Sequence, residues 1–360
     1  MHAPSIDGAQ VVLPATEPLS ACIDFFTTLG FRVRMIMPAD HPRLAVMDGH
    51  GTTIRLDADA DVPPGRLRLL TDGEPPETTT APNGTVVEFA PAITPVVVPD
   101  LVPEFVVTRA PADSDDEFGE GRAGMRYRDL VPSRLGGRFI ASHILIPRGG
   151  PVADYVHFHR IRFQMIFCHR GWVKVVYEDQ GEPMVMHEGD CLLQPSTIRH
   201  RVLEASDRMQ VVEIGCPAEH ETWGDPATEL PSMRTLPDRG YGPDGHRFVF
   251  HRAQGASWTP WRLPGYECRD TGIEAATDGL AGARVVRPVG SPAAVTTEHS
   301  AEFVFGFVLE GSVTLAADGH GEHRLCEGDS FVVPAGVGHT FSAPTADLQL
   351  LDVTLPGDVA

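Results

Sequence analysis

VHFHRIRFQMIFCHRG, residues 156–171, reads as a strand, yet it carries three histidines, three arginines and a glutamine. Polar groups in that number enter the buried face of a strand only when something satisfies them. His157 and His159 share strand parity, so a sheet turns both imidazoles to one side. The stretch therefore predicts something held by histidines on the inner face of a sheet, with further donors supplied from elsewhere in the chain.

The stretch has a second copy. His159 and Gly171 are 12 residues apart, as are His299 and Gly311. Gly189-Asp190, Pro195 and His200 recur as Gly328-Asp329, Pro334 and His339, with identical steps of six and five. Upstream, Arg128-Asp129 is matched by Arg269-Asp270. Beyond residue 120 nearly everything reads as short strands between turn signals, so the chain holds two copies of one β-domain.

These residues resemble the two motifs of the cupin superfamily, G-x5-HxH-x3,4-E-x6-G and G-x5-PxG-x2-H. Gly150, His157, His159, Gln164 and Gly171 reproduce the first, with one extra residue before the histidines. Gly189, Pro195 and His200 reproduce the second, with Thr197 where glycine is usual. The resemblance covers roughly residues 125–215 and 265–355 and implies a mainly β chain with two tandem double-stranded β-helix barrels. It also implies a metal held by His157, His159 and His200, with Gln164 as a weak fourth ligand. Three imidazoles and one oxygen donor suit Fe, Mn, Ni, Cu or Zn rather than Mg or Ca.

Gln164 departs from the family's glutamate. A glutamine leaves the ligand set neutral, which favours an anionic or chelating substrate that brings its own charge. Arg162, of the same parity, is the expected partner of a substrate carboxylate, and it is paired with Gln164 as a catalytic candidate. Cys168 faces inward by parity and reads as packing, whereas His169 and His187 read as surface. The second copy keeps His299 and His339, but Thr297 and Val304 replace His157 and Gln164. Its nearest carboxylates are Glu298 and Glu302, and that barrel is expected to be metal-free.

Cupins with a three-histidine shell commonly cleave C–C bonds or oxidise thiols, so the resemblance implies an Fe(II)-dependent dioxygenase acting on a small organic substrate. A redox-neutral isomerase or lyase using Zn, Ni or Mn remains open, as does a small-molecule-binding protein without turnover.

The reading divides the chain into a βαβββ module at 1–60, a Pro-, Thr- and acid-rich connector at 61–120 with short strands at 84–89 and 104–109, and barrels at 121–220 and 221–360. In the module, EPLSACIDFFTTLGF has helical spacing at Leu19, Cys22, Ile23 and Phe26 and closes at Gly30. Its ending resembles one module of the glyoxalase-like (vicinal-oxygen-chelate) superfamily. That family pairs two modules around a metal, and Gln10 and Asp57 fall roughly where ligands would lie. A single module implies a homodimer that completes the sheet.

A net charge of −20 argues against a nucleic-acid or anionic-membrane partner, since both need a basic face. No apolar run reaches membrane-span length, and MHAPSIDGAQ lacks the pattern of a secretory signal, so a cytoplasmic location is expected. Six scattered cysteines without C-x-x-C spacing read as free thiols.

Overall fold

A computed structural model describes residues 5–16, 18–111 and 118–359. Most of the acidic run expected to form a solvated loop, 112–117, lies outside the described residues. The chain forms two compact units, residues 1–95 and 96–360. No helix among the described residues is long and apolar enough to cross a membrane.

In the first unit the βαβββ order holds. The helix Leu19–Thr28 buries Leu19, Cys22 and Phe26 against a four-stranded sheet, in which Val11–Pro14 lies beside Thr52–Asp57, then Leu44–Gly49, then Arg32–Met37. The expected connector needs correction. Arg66–Thr71 and Val86–Pro91 form a parallel pair, and Leu69, Ala81 and Val87 pack into the same core as Phe26 and Ile54. Alternating leucines in RLRLL supply one buried face there, a signal outweighed in the sequence by the surrounding prolines. Gln10 and Asp57 do not form a half-site. Val11 pairs with Ile54 and Pro14 with Asp57, so the two lie at opposite ends of one strand pair, roughly 13 Å apart at about 3.3 Å per residue.

The second unit holds both barrels, each built from a long and a short sheet. In the first barrel the long sheet runs 249–251, 191–193, 163–170, 209–216, 140–146, 126–129 and 119–120. In the second it runs 106–108, 330–332, 303–310, 349–355, 282–288, 266–270 and 259–260. The two orders match strand for strand. Each sheet borrows its outermost strand across the repeat: Val249–His251 precedes the second barrel yet pairs with the first, and Val106–Thr108 precedes the first yet pairs with the second. A boundary at 220/221 therefore cuts through the first barrel, which also recruits Glu221–Gly224 beside His157–Arg160.

The Gly-Asp pairs of the repeat lock this exchange. Gly189 and Gly328 adopt φ of +85° and +82°, conformations that favour glycine. The carboxylate of Asp190 accepts from the amides of His187 and Ala253, and that of Asp329 from Cys326 and Ala110. Each aspartate thus ties its own turn to the end of the borrowed strand. Between the barrels, the odd-numbered face of Phe163–Arg170 and its counterpart on Phe303–Glu310 share one core with Phe139, whose ring stacks on Phe303 at 4.1 Å.

Candidate metal centre

The even-numbered face of Phe163–Arg170 looks the other way, into the first barrel. Ile166 lines the barrel's cavity and Cys168 packs in its wall. The neighbouring short sheet delivers the histidines. His157 sits directly across from His200, and His159 follows two residues on with the same parity. Ring centroids lie 4.2 Å apart for His157 and His200, 5.2 Å for His157 and His159, and 5.3 Å for His159 and His200. One ligand atom from each falls within 4.8 Å of the others.

Neighbouring groups set the imidazole orientations. Nδ1–H of His157 donates to the Tyr155 carbonyl at 2.8 Å, and Nδ1–H of His200 donates to the Ile198 carbonyl at 3.0 Å. Nδ1 of His159 pairs with the Thr222 hydroxyl at 2.9 Å. With each Nδ1 engaged, Nε2 is the nitrogen a metal would use; on His157 it accepts from Arg122 in this structure. Burial holds all three imidazoles below their ordinary pKa, so they are neutral and carry lone pairs at neutral pH. The donor set fits a divalent transition metal.

Several groups of the site are not legible from the motif. Arg122 donates from one nitrogen to Asp154 Oδ1 and from another to His157 Nε2, both at 2.7 Å. Asp154 is buried, accepts from the Val202 amide at 2.9 Å and lies 3.7 Å from His157 Nδ1. Asp154 therefore stands behind His157, outside the neutral ligand set. His220 lies 5.3 Å from the His159 ring. Tyr177 stacks on His200 and donates to Gln194 Oε1. Glu213, half-buried, lines the cavity, and its carboxyl pKa is raised chiefly by desolvation there.

Gln164 is 2% exposed, and its Oε1 has no partner. Arg162 is not in the cavity. It lies on the bend just before the strand begins at Phe163, where strand parity no longer applies. Its guanidinium donates to Glu302 Oε1 of the second barrel at 2.9 Å. Glu302 is also held by Arg138, and Glu298 is exposed, so neither completes a site at His299. His169 is also corrected, being 6% exposed: a bulge between Cys168 and Arg170 turns it against Phe307 of the second barrel. His187 is exposed and Cys168 is buried, with its thiol pKa pushed up by burial, in keeping with packing.

The second barrel repeats the frame without the centre. Thr297 lies across from His339 as His157 does from His200. His299 Nε2–H donates to the Val333 carbonyl at 3.1 Å. Among the described residues the three histidines of the first barrel are the one cluster of His, Cys, Asp or Glu suited to a metal.

Two tandem barrels of one design, with three converging imidazoles inside the first, make a mainly β, cupin-type fold. A cupin domain model matches residues 283–354, within the second barrel. Salicylate 1,2-dioxygenase from Pseudoaminobacter salicylatoxidans, as a point mutant, aligns with a TM-score of 0.52 and 19% identity over 72% of this chain and 86% of that one. A mutant of Bacillus subtilis oxalate decarboxylase aligns with a TM-score of 0.51 and 15% identity over 73% and 80%. No significant match is found among curated proteins. The fold is mainly β and of the cupin type.

Proposed function

We propose that the first barrel is the catalytic unit of a mononuclear non-haem metal enzyme, an Fe(II)-dependent dioxygenase acting on a small anionic or chelating organic substrate. The observation that carries the reading is the convergence of three buried imidazoles, each with Nδ1 already engaged. His157, His159 and His200 would hold the metal through Nε2, with the unpartnered Oε1 of Gln164 as the fourth donor. When bound, the metal supplies Lewis acidity and, as iron, a route for electrons between substrate and dioxygen.

The chain's own residues do the rest. Arg122, at the edge of the cluster, can donate to a substrate anion while Asp154 holds it in place. Ile144, Ile146, Val173, Met186 and Leu192 wall the cavity and keep water from the reacting groups. The cavity offers about 70 Å³, well under the roughly 300–1,000 Å³ of sites for drug-sized ligands, which supports a small substrate. A second reading, a redox-neutral lyase or isomerase, is favoured by Glu213, a half-buried carboxyl in the same cavity that can move a proton.

Metal analysis followed by oxygen-uptake screening over small carboxylates, phenols and diketones tests both. Stoichiometric iron with substrate-dependent uptake supports the dioxygenase. Turnover of a substrate without oxygen uptake replaces it with the second reading. A protein with no affinity for Fe, Mn, Ni, Cu or Zn overturns both.

A further inference from the structure

Where the two barrels meet there is a second cavity, of about 510 Å³, which shares no lining residue with the cavity of the metal centre. Both copies supply its walls. His169 and Arg170 end one long strand, Leu309 and Glu310 end its counterpart, and the Gly-Asp turns add Glu188 and Glu327. Arg269, 7% exposed, completes the lining.

Arg269 is the repeat's counterpart of Arg128, and the duplication shows what it lacks. Arg128 faces His143 across the sheet. Its guanidinium bonds His143 Nδ1 at 3.1 Å, the Arg109 carbonyl at 3.0 Å and the Gly328 carbonyl at 2.9 Å. Across from Arg269 stands Val285, which offers no acceptor there. One bond of the set recurs, from Arg269 Nη2 to the Gly189 carbonyl at 3.0 Å. Among the described residues Arg269 makes no ion pair, Nη1 makes no hydrogen bond, and the buried Nε has no partner. The carboxylate of Asp190, whose charge acts on it, is bonded instead to the amides of His187 and Ala253. A Cβ on Gly189 would stand 3.3 and 3.7 Å from Nη2 and Nη1, so the charged end of Arg269 lies beside a glycine that lines the cavity. A guanidinium stays charged, and a buried one is costly until an anion meets it.

The other charges of the wall are of both signs. Arg170 and Glu327 pair with each other. Glu310 takes the neutral amide of Gln349 at 2.9 Å, and neither it nor the exposed Glu188 has an ion pair among the described residues. One buried cation and two free carboxylates therefore face a cavity within the range of about 300–1,000 Å³ usual for small-molecule sites.

We propose that this cavity binds a small zwitterion of the amino-acid or dipeptide class, its carboxylate on Arg269 and its ammonium group towards Glu188 and Glu310. The site stands apart from the metal-centre reading and does not depend on it.

Calorimetric titration of the full chain with the common L-amino acids and their N-glycyl dipeptides tests the proposal. The matching amines and N-acetylated acids serve as single-charge controls. At least one zwitterion should bind in the millimolar range or tighter, and its matching amine about tenfold more weakly. Arg269→Met should cost the zwitterion about tenfold as well. Glu188→Gln combined with Glu310→Gln, two exposed changes, should cost it about threefold while leaving the N-acetylated form no weaker; this variant carries the test if Arg269→Met does not fold. His157→Ala should leave the affinity unchanged. Wild-type protein that binds none of these probes overturns the proposal, as does wild-type affinity in Arg269→Met. An N-acetylated acid that binds as tightly as its zwitterion also overturns it. Binding lost in His157→Ala would place the probe in the metal-centre cavity and overturn it too.

Discussion

Acidification should destabilise this protein through a histidine far from the metal centre. His169 lies where the barrels meet, with Nδ1 3.3 Å from His143 Nε2 and Nε2 3.3 Å from the Leu309 carbonyl. Burial is the main reason its pKa falls from 6.5 to about 4. The unfolded chain protonates this imidazole near its ordinary value, whereas the folded chain resists until about 4. Between those values the unfolded state binds more protons, so stability is full above about 6.5 and declines as pH falls. At 1.36 kcal/mol for each unit between the two values, the loss approaches about 3 kcal/mol. His169→Gln keeps a donor and an acceptor but does not titrate. Urea unfolding of both proteins from about pH 7 to about pH 4 should show the wild type losing about 3 kcal/mol more than the variant. His143, also held below its ordinary value by burial, is present in both and acts on both curves. Parallel curves would refute the reasoning.

Four other outcomes are expected. His157→Ala or His200→Ala should abolish metal uptake measured by elemental analysis, while His299→Ala leaves it intact; the reverse pattern would place the centre in the second barrel. Arg162→Gln should cost about 1 kcal/mol in urea melts, the scale of a partly exposed ion pair, with metal content unchanged; lost metal would return Arg162 to the site. Thr197 holds φ of +70° where the second copy has Gly336 at +77°, so Thr197→Gly should raise stability by about 0.5–1 kcal/mol, and a lower midpoint would contradict the strain. Arg32–Met37 is an edge strand with all six residues exposed, including Val33, Met35, Ile36 and Met37. Light scattering should therefore give a dimer mass, and a monomer at every concentration would remove that expectation.

What was legible in the sequence followed from period and spacing. Strand parity put His157 and His159 on one side, and the matched steps to His200 and His339 gave two barrels of one design. What was not legible depended on contacts between copies. Parity placed Arg162 in the barrel, but the strand starts one residue later, and the guanidinium is taken by Glu302, its own counterpart in the second copy. His169 follows a bulge that no alternation reveals. Val249–His251 pairs backward across the repeat, so composition could not mark the barrel boundary. Arg122, Asp154 and Glu213 stand outside the HxH stretch: Glu213 reaches the site through sheet register, Arg122 from a turn and Asp154 from the loop before His157.

The two barrels show how one frame comes to hold a site in one copy and a closed core in the other. Where Arg262 neutralises Asp352, the carboxylate is spent within the barrel, position 304 can be valine, and Thr297 faces His339. Where Arg122 turns to Asp154 and His157, the equivalent carboxylate of Glu213 has no bond to that arginine, and His157 completes the histidine set. These differences form one connected change, because a buried carboxylate such as Asp352 is costly without its arginine. Restoring His157's counterpart alone, by Thr297→His, would therefore add an imidazole to a barrel whose acid is still locked to Arg262. It should gain at most weak metal binding in a titration. Strong binding by that single variant would show that the histidines, and not the rewired carboxylate, separate the two copies.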